Sequence, residues 1–216
     1  MIKNLIYKEF HLNINPWFYS FFALALLILC PSWPFFIALA YLFMFFMVLS
    51  QMDKANQDLG FASSLPVPKA GIVTARTCTI VIIEAAQLVV AGIVAVMRHM
   101  LYTHDNQAGM NTNLAFFGVI LIMYATFNAI YLPGSYKRAY RMAWPLLGGS
   151  LIAVVVGGVL SSVLAFQPQL AAIFNDRGLG HPAAQILAFL AGLVVYAGVT
   201  ALAHRKAVSN FAKVDL

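Results

Sequence analysis

Few side chains in this sequence sit where they could do chemistry. Glu84 lies inside an apolar run, residues 71–96. A carboxylate deep in an apolar medium costs several kcal/mol unless it is paired, protonated or facing water. Gln87 follows within one turn, and Arg76 precedes Glu84 by two turns, about 12 Å along a helix axis. Asn128 and Tyr124, in the next apolar run, carry hydrogen-bonding groups that suit Glu84. Two readings stand side by side. These residues form a polar contact between helices, or Glu84, Gln87 and Asn128 line a path for a substrate or a proton. His99, His104 and Asp105 also cluster and offer metal-type donors, but H-E-x-x-H and C-x-x-C are both absent, and no metal site is expected. The phosphate-cradling pattern G-x-x-x-x-G-K-[ST] is absent too, so any nucleotide would be held by another polypeptide.

A second group of residues points to contact. The stretch 59–76 reads LGFASSLPVPKAGIVTAR. Pro66 and Pro68 bar a continuous helix, because proline lacks an N–H and restricts the residue before it. The pattern predicts a short helix over 59–64, a stop at Leu65-Pro66 and a restart near Gly71. Phe61 and Leu65, four residues apart, would share one helical face. Such an apolar knob suits a groove on a soluble partner. The other reading is an ordinary proline-containing connector.

The elements that carry these residues follow from composition. The chain has 216 residues, of which 62% are hydrophobic and only 9% charged, with a mean hydropathy of +0.84. Soluble chains carry about 25% charged residues. The solvent is therefore lipid, and the expected fold class is all-α and polytopic, with six transmembrane helices. Spans are expected over 16–30, 33–50, 71–96, 114–132, 145–166 and 183–203, joined by a tight turn at 30–34. Residues 1–15 read as a short amphipathic helix lying at the interface, or as a frayed start to the first span. Trp17, Tyr19 and Trp144 fall where interfacial anchors belong. The run of Glu9, His11 and asparagines leaves no signal-peptide core.

The net charge is +6, yet the basic residues are scattered between apolar runs, which argues for membrane topology and against a nucleic-acid partner. With both termini, 51–70, 133–141 and the tail on one side, eleven of the thirteen Lys and Arg residues share it; Arg98 and Arg177 remain opposite, in polar loops at 98–113 and 167–182. Cytoplasmic termini satisfy the positive-inside rule. The two cysteines, Cys30 and Cys78, fall near opposite faces and are not expected to pair. Gly149, Ala153, Gly157 and Ser161 recur every four residues and make a small-residue ridge for close helix contact, within the bundle or between two copies.

In several details the sequence resembles the membrane subunit of type-2 ABC transporters, especially small bacterial exporter permeases. The matching pieces are K-x-x-x-x-K-E-F at Lys3 to Phe10, the tight first hairpin, Asp53 and Asp58 in the second loop, and Leu65, Pro66, Val67, Lys69, Ile72, Val73, Ala75 and Arg76. Pro68 and Thr77 depart from it, where a serine and an aromatic are frequent.

The resemblance implies one transmembrane permease domain over 1–216, in the cytoplasmic membrane of a bacterium. It implies a coupling helix in the loop 51–70, with Leu59, Phe61, Leu65, Pro66, Val67, Pro68 and Lys69 facing a separate ABC ATPase. ATP and Mg would be bound by that ATPase, and this chain would carry no bond chemistry and no cofactor. Two permeases, as a homodimer or a heterodimer, would enclose a path for an amphipathic or hydrophobic substrate, a peptide or toxin. Two alternatives come from other classes: a stand-alone proton-coupled carrier using Glu84, and a non-transporting immunity or scaffold protein.

Overall fold

Within lipid a chain must satisfy its backbone N–H and C=O groups internally, so long apolar runs fold as helices. The structure, a computed structural model, describes residues 2–137, 143–177 and 180–214. Every regular element among these residues is helical. In chain order they are α1 (Ile2–Lys8), a π turn (Glu9–Asn13), a 3₁₀ helix (Pro16–Leu29), α2 (Phe35–Ala40), α3 (Leu42–Ala55), α4 (Asp58–Ser64), α5 (Lys69–Leu101), α6 (Leu114–Ser135), α7 (Ala143–Phe166), α8 (Pro168–Phe174) and α9 (Pro182–Ala212).

Five stretches of the described residues are long and apolar enough to cross a membrane, with α2 and α3 counted as one broken at Tyr41. A sixth is obtained if Ile2–Asn13 and Pro16–Leu29, bent by 85° at their junction, form one span. Asn15 caps the 3₁₀ helix by accepting from Trp17 N, and Pro16 opens it. Its 3₁₀ winding answers a length problem. Fourteen residues rise only about 21 Å as an α-helix but about 28 Å at roughly 2.0 Å each, close to the hydrocarbon thickness. The short first run is thus stretched by its winding.

Several boundaries shift outward from the expected ones. Helix α5 runs on to Leu101, so Arg98, expected in a loop, is a buried helical residue. Pro133 to Ser135, expected to open a loop, close α6; residues 138–142 of that expected basic loop lie outside the described ones. The expected outer loop at 167–182 contains α8. Much of the expected polar tail is the last part of α9, where Phe211 is fully buried.

The core centres on α6. Its Phe127 ring stacks on Phe43 at 4.5 Å, on Tyr131 at 5.0 Å and on Phe46 at 5.4 Å. On the α9 side, a Cβ built on Gly192 would lie 2.7 Å from Gly118 Cα, and one built on Gly118 would lie 2.5 Å from Ala188 O. Only glycines permit this approach. The small ridge of α7 faces α6 as well. Gly149, Ala153, Gly157 and Ser161 are all buried, and a Cβ at Gly157 would meet Met123 Sδ at 2.8 Å. This ridge therefore packs within the bundle. The outer faces of α7 and α9, with Leu151, Val155, Val159, Leu187 and Val194 exposed, are apolar.

Candidate functional site

The stretch 58–69 folds as a short helix followed by an extended link. Helix α4 covers Asp58–Ser64 and places an acid in its first turn, where the helix dipole favours negative charge. Ser63 and Ser64 donate to Leu59 O and Phe61 O, both at 2.8 Å, and occupy carbonyls of the last turn. Leu65, ahead of Pro66, is extended (φ −74°, ψ 150°), as a residue before proline prefers. The helix therefore ends at Ser64, and Leu65, being extended, does not share the expected helical face with Phe61. Leu59 and Ala62 are buried against the body, whereas Phe61 is 55% exposed. Pro66 and Pro68 are exposed, Leu65 and Val67 half-buried. Helix α5 begins at Lys69, whose Nζ donates to Val214 O at 2.6 Å and lies 5.7 Å from the Phe211 ring centre. The end of α9 is thereby tied to the start of α5.

Beneath α4 lies a network of charges that joins five elements, α1, the π turn, α3, α4 and α5. Lys8 of α1 pairs with Asp58 at 2.5 Å and with Glu9 at 3.4 Å. Arg76 of α5 pairs through Nη1 with Glu9 Oε2 at 2.9 Å, and its Nη2 donates to Asp53 Oδ2 at the end of α3. Asp58 Oδ2 lies 4.0 Å from the same Nη2. Asn13 donates to Glu9 Oε2 at 3.2 Å. These groups line a small cavity with Tyr131, Ser135 and Tyr136. Burial pushes the Tyr136 phenol well above the usual tyrosine range, and the Arg76 guanidinium pulls it part of the way back. The donor oxygens of Glu9, Asp53 and Asp58 lie within 4.8 Å of one another. Two protein cations, Arg76 and Lys8, supply their counter-charge. His99, His104 and Asp105 form no three-donor group among the described residues.

Sequence reasoning placed Arg76 on one polar stripe with Glu84. The structure separates the two. Arg76 belongs to the network beneath α4, while Glu84 is held elsewhere by neutral groups. Glu84 Oε2 accepts from Tyr196 Oη at 2.5 Å and from Asn128 Nδ2 at 3.0 Å, and Asn128 Nδ2 lies 3.3 Å from Thr200 Oγ1. These bonds join α5, α6 and α9. Gln87 is fully buried, and neither of its amide atoms has a partner. Tyr124 is turned to Leu39 O at 3.3 Å. A groove of about 340 Å³ runs between α2–α3 and α7, lined by Ile37, Tyr41, Met44, Met47, Leu151 and Val154; Glu84, Gln87 and Asn128 do not line it.

Tyr196, Thr200 and Glu9 were missed from sequence. The first two sit in an apolar run with no acid nearby in sequence. Glu9 lies in the stretch expected to rest at the interface, yet it is only 6% exposed. The available signal was Arg76 itself, a cation at the edge of an apolar run that needs a carboxylate from another segment.

A family model described as "ABC-2 family transporter protein" matches residues 4–204. No curated protein and no solved structure matches the chain. Proteins of this kind are multi-pass, and in bacteria they occupy the cytoplasmic membrane. With a match over nearly its whole length and a set of apolar helices able to span a bilayer, the chain belongs to the ABC-2 transporter family, as a transmembrane subunit of an ABC transporter.

Proposed function

We propose that this chain lines the translocation path of an ATP-driven exporter and is driven by a separate ATPase that docks on α4. The observation that carries this reading is the exposed Phe61 on a short helix whose other face is wired into the spans. Force applied at α4 reaches α1 through Lys8–Asp58 and reaches α3 and α5 through Asp53, Glu9 and Arg76. A rigid, preorganised knob loses little conformational entropy on docking. In this reading α4 and both termini are cytoplasmic, and ATP and Mg are held by the ATPase. A second permease, identical or related, completes the path.

The substrate class is an amphipathic or hydrophobic molecule, a peptide or toxin first, because the groove between α2–α3 and α7 offers an apolar wall. For Glu84 and Asn128 the bonds to Tyr196 and Thr200 favour a helix-to-helix contact over the lining of a path; Gln87, buried without a partner, makes no such bond.

The test is coexpression with the ABC ATPase encoded nearest to it, purification in detergent and reconstitution in vesicles. The exporter reading predicts a stable permease–ATPase complex and ATP-dependent movement of a fluorescent amphipathic peptide. Uptake driven by a pH gradient without the ATPase supports the carrier reading instead. Copurification of nothing and transport of nothing supports the scaffold reading.

A further inference from the structure

At the end of the bundle opposite α4, roughly 45 Å from Lys69 along α5 at 1.5 Å per residue, a narrow cleft gathers positive charge. It is lined by Arg98, His99, His104, Asn111, Thr112 and Arg177. Two of these are guanidiniums, two are imidazoles and two are neutral hydrogen-bonding side chains. No carboxylate among the described residues lines it. Arg98 is 94% buried by its exposure of 6%, donates from Nη1 to Ile28 O at 2.9 Å, and lies 4.5 Å from the Phe35 ring centre. Arg177 donates from Nη2 to His99 O at 3.3 Å, and its Nε lies 3.4 Å from His99 Nδ1. Its Nη1 is buried without a partner.

Carbonyls at helix ends account for part of these side chains' bonding, since cations are favoured there. They do not account for the charge. Two guanidiniums facing one cleft repel each other, and a buried cation without a counter-ion is costly. Neither has a carboxylate within ion-pair distance among the described residues. The nearby acids are otherwise engaged: Asp105 accepts from Asn111 Nδ2 at 3.1 Å and Asp176 from Gly180 N at 2.9 Å. An orphaned buried donor calls for an explanation, and a fork of guanidinium N–H groups matches an oxyanion.

We propose that the mouth of this cleft, whose interior of about 10 Å³ admits no more than a water, is an anion-binding site for one phosphate group, from a lipid headgroup or as a free oxyanion. Arg177 supplies the unpartnered donor, Arg98 the buried charge, and His99 and His104 close the rim. The site is independent of the docking proposed at α4.

Two probes distinguish the sources. Inorganic phosphate is titrated calorimetrically into delipidated protein in neutral detergent. Phosphatidylglycerol and phosphatidylcholine are compared in nanodiscs by native mass spectrometry, counting the lipids retained. Arg177→Gln is expected to weaken whichever binding is seen by at least tenfold, and Arg177→Lys to restore part of it. His104 is exposed, so His104→Gln serves as the variant least able to disturb folding, with an expected loss of about threefold. Saturable phosphate binding assigns the free oxyanion. Selective retention of phosphatidylglycerol, lost in the variants, assigns the headgroup. Binding of neither probe, or equal binding by wild type and both neutral variants, overturns the proposal.

Discussion

Arg76 of α5 reaches Asp53 of α3, the guanidinium donating from Nη2 to Asp53 Oδ2 while its Nη1 pairs with Glu9. One side chain thus holds the N-terminal segment, the second span and the third. Removing one partner from a buried ion pair leaves uncompensated charge and costs about 3–5 kcal/mol. Arg76→Gln should therefore lower the thermal midpoint sharply in detergent. Restoring neutrality with Glu9→Gln and Asp53→Asn in the same chain should recover most of the loss, because the stranded carboxylates go with it. Equal midpoints for wild type and Arg76→Gln would show that the network is not structural.

Gly118 and Gly192 set the distance between α6 and α9. A methyl group at Gly192 has backbone, not a flexible side chain, in its way. Gly192→Ala should destabilise by about 1–3 kcal/mol, the range for overpacking. Gly157→Ala should cost less, because Met123 Sδ can move aside. Unfolding of both variants in a single detergent gives the comparison, and a larger effect at Gly157 would contradict it.

Tyr196→Phe removes a donor from Glu84 and leaves its buried carboxyl group with Asn128 as the remaining partner. The expected cost is about 1–3 kcal/mol. If these groups only tie α5, α6 and α9 together, ATP-dependent transport by Tyr196→Phe, corrected for folded protein, stays at the wild-type level. A change in substrate preference would favour the path reading.

How much of this was readable beforehand depends on how local each cause is. Pro66 and Pro68 act on their own neighbours, so the end of α4 and the restart of the chain as α5 were legible within a few residues. The far ends of α5 and α9 were not. Arg98, His204, Arg205 and Lys206 read as loop or tail, whereas packing keeps them helical. The ridge on α7 showed its four-residue repeat, but Gly118 and Gly192 become a pair only once α6 and α9 lie together. The same holds for Glu9 and Arg76, and for Glu84 and Tyr196, which are distant in sequence and belong to separate segments.

The basic-residue asymmetry predicts cytoplasmic termini. The expected result is that Gln107→Cys, in a background with Cys30→Ser and Cys78→Ser, reacts with a membrane-impermeant maleimide in intact cells. Lys137→Cys should react only after the cells are opened. Both positions are exposed, which makes Lys137 a better reporter than buried Ser135. Reaction of Lys137→Cys in intact cells would invert the topology and with it the side on which α4 lies.

If a separate ATPase drives this chain through α4, Phe61 is the exposed side chain that should carry the contact. Phe61 is exposed and absent from the charge network, so Phe61→Ala should leave membrane insertion and thermal stability unchanged. A truncated aromatic anchor in an interface costs about 2 kcal/mol or more, roughly a thirtyfold loss of affinity. The measurement is the dissociation constant of the ATPase for wild-type and Phe61→Ala permease in nanodiscs, with ATP hydrolysis followed in the same samples. The account predicts at least tenfold weaker binding, or hydrolysis that no longer responds to the permease. Identical affinity and identical hydrolysis, with Leu65→Ala added to Phe61→Ala, would contradict it and reduce residues 59–68 to a connector.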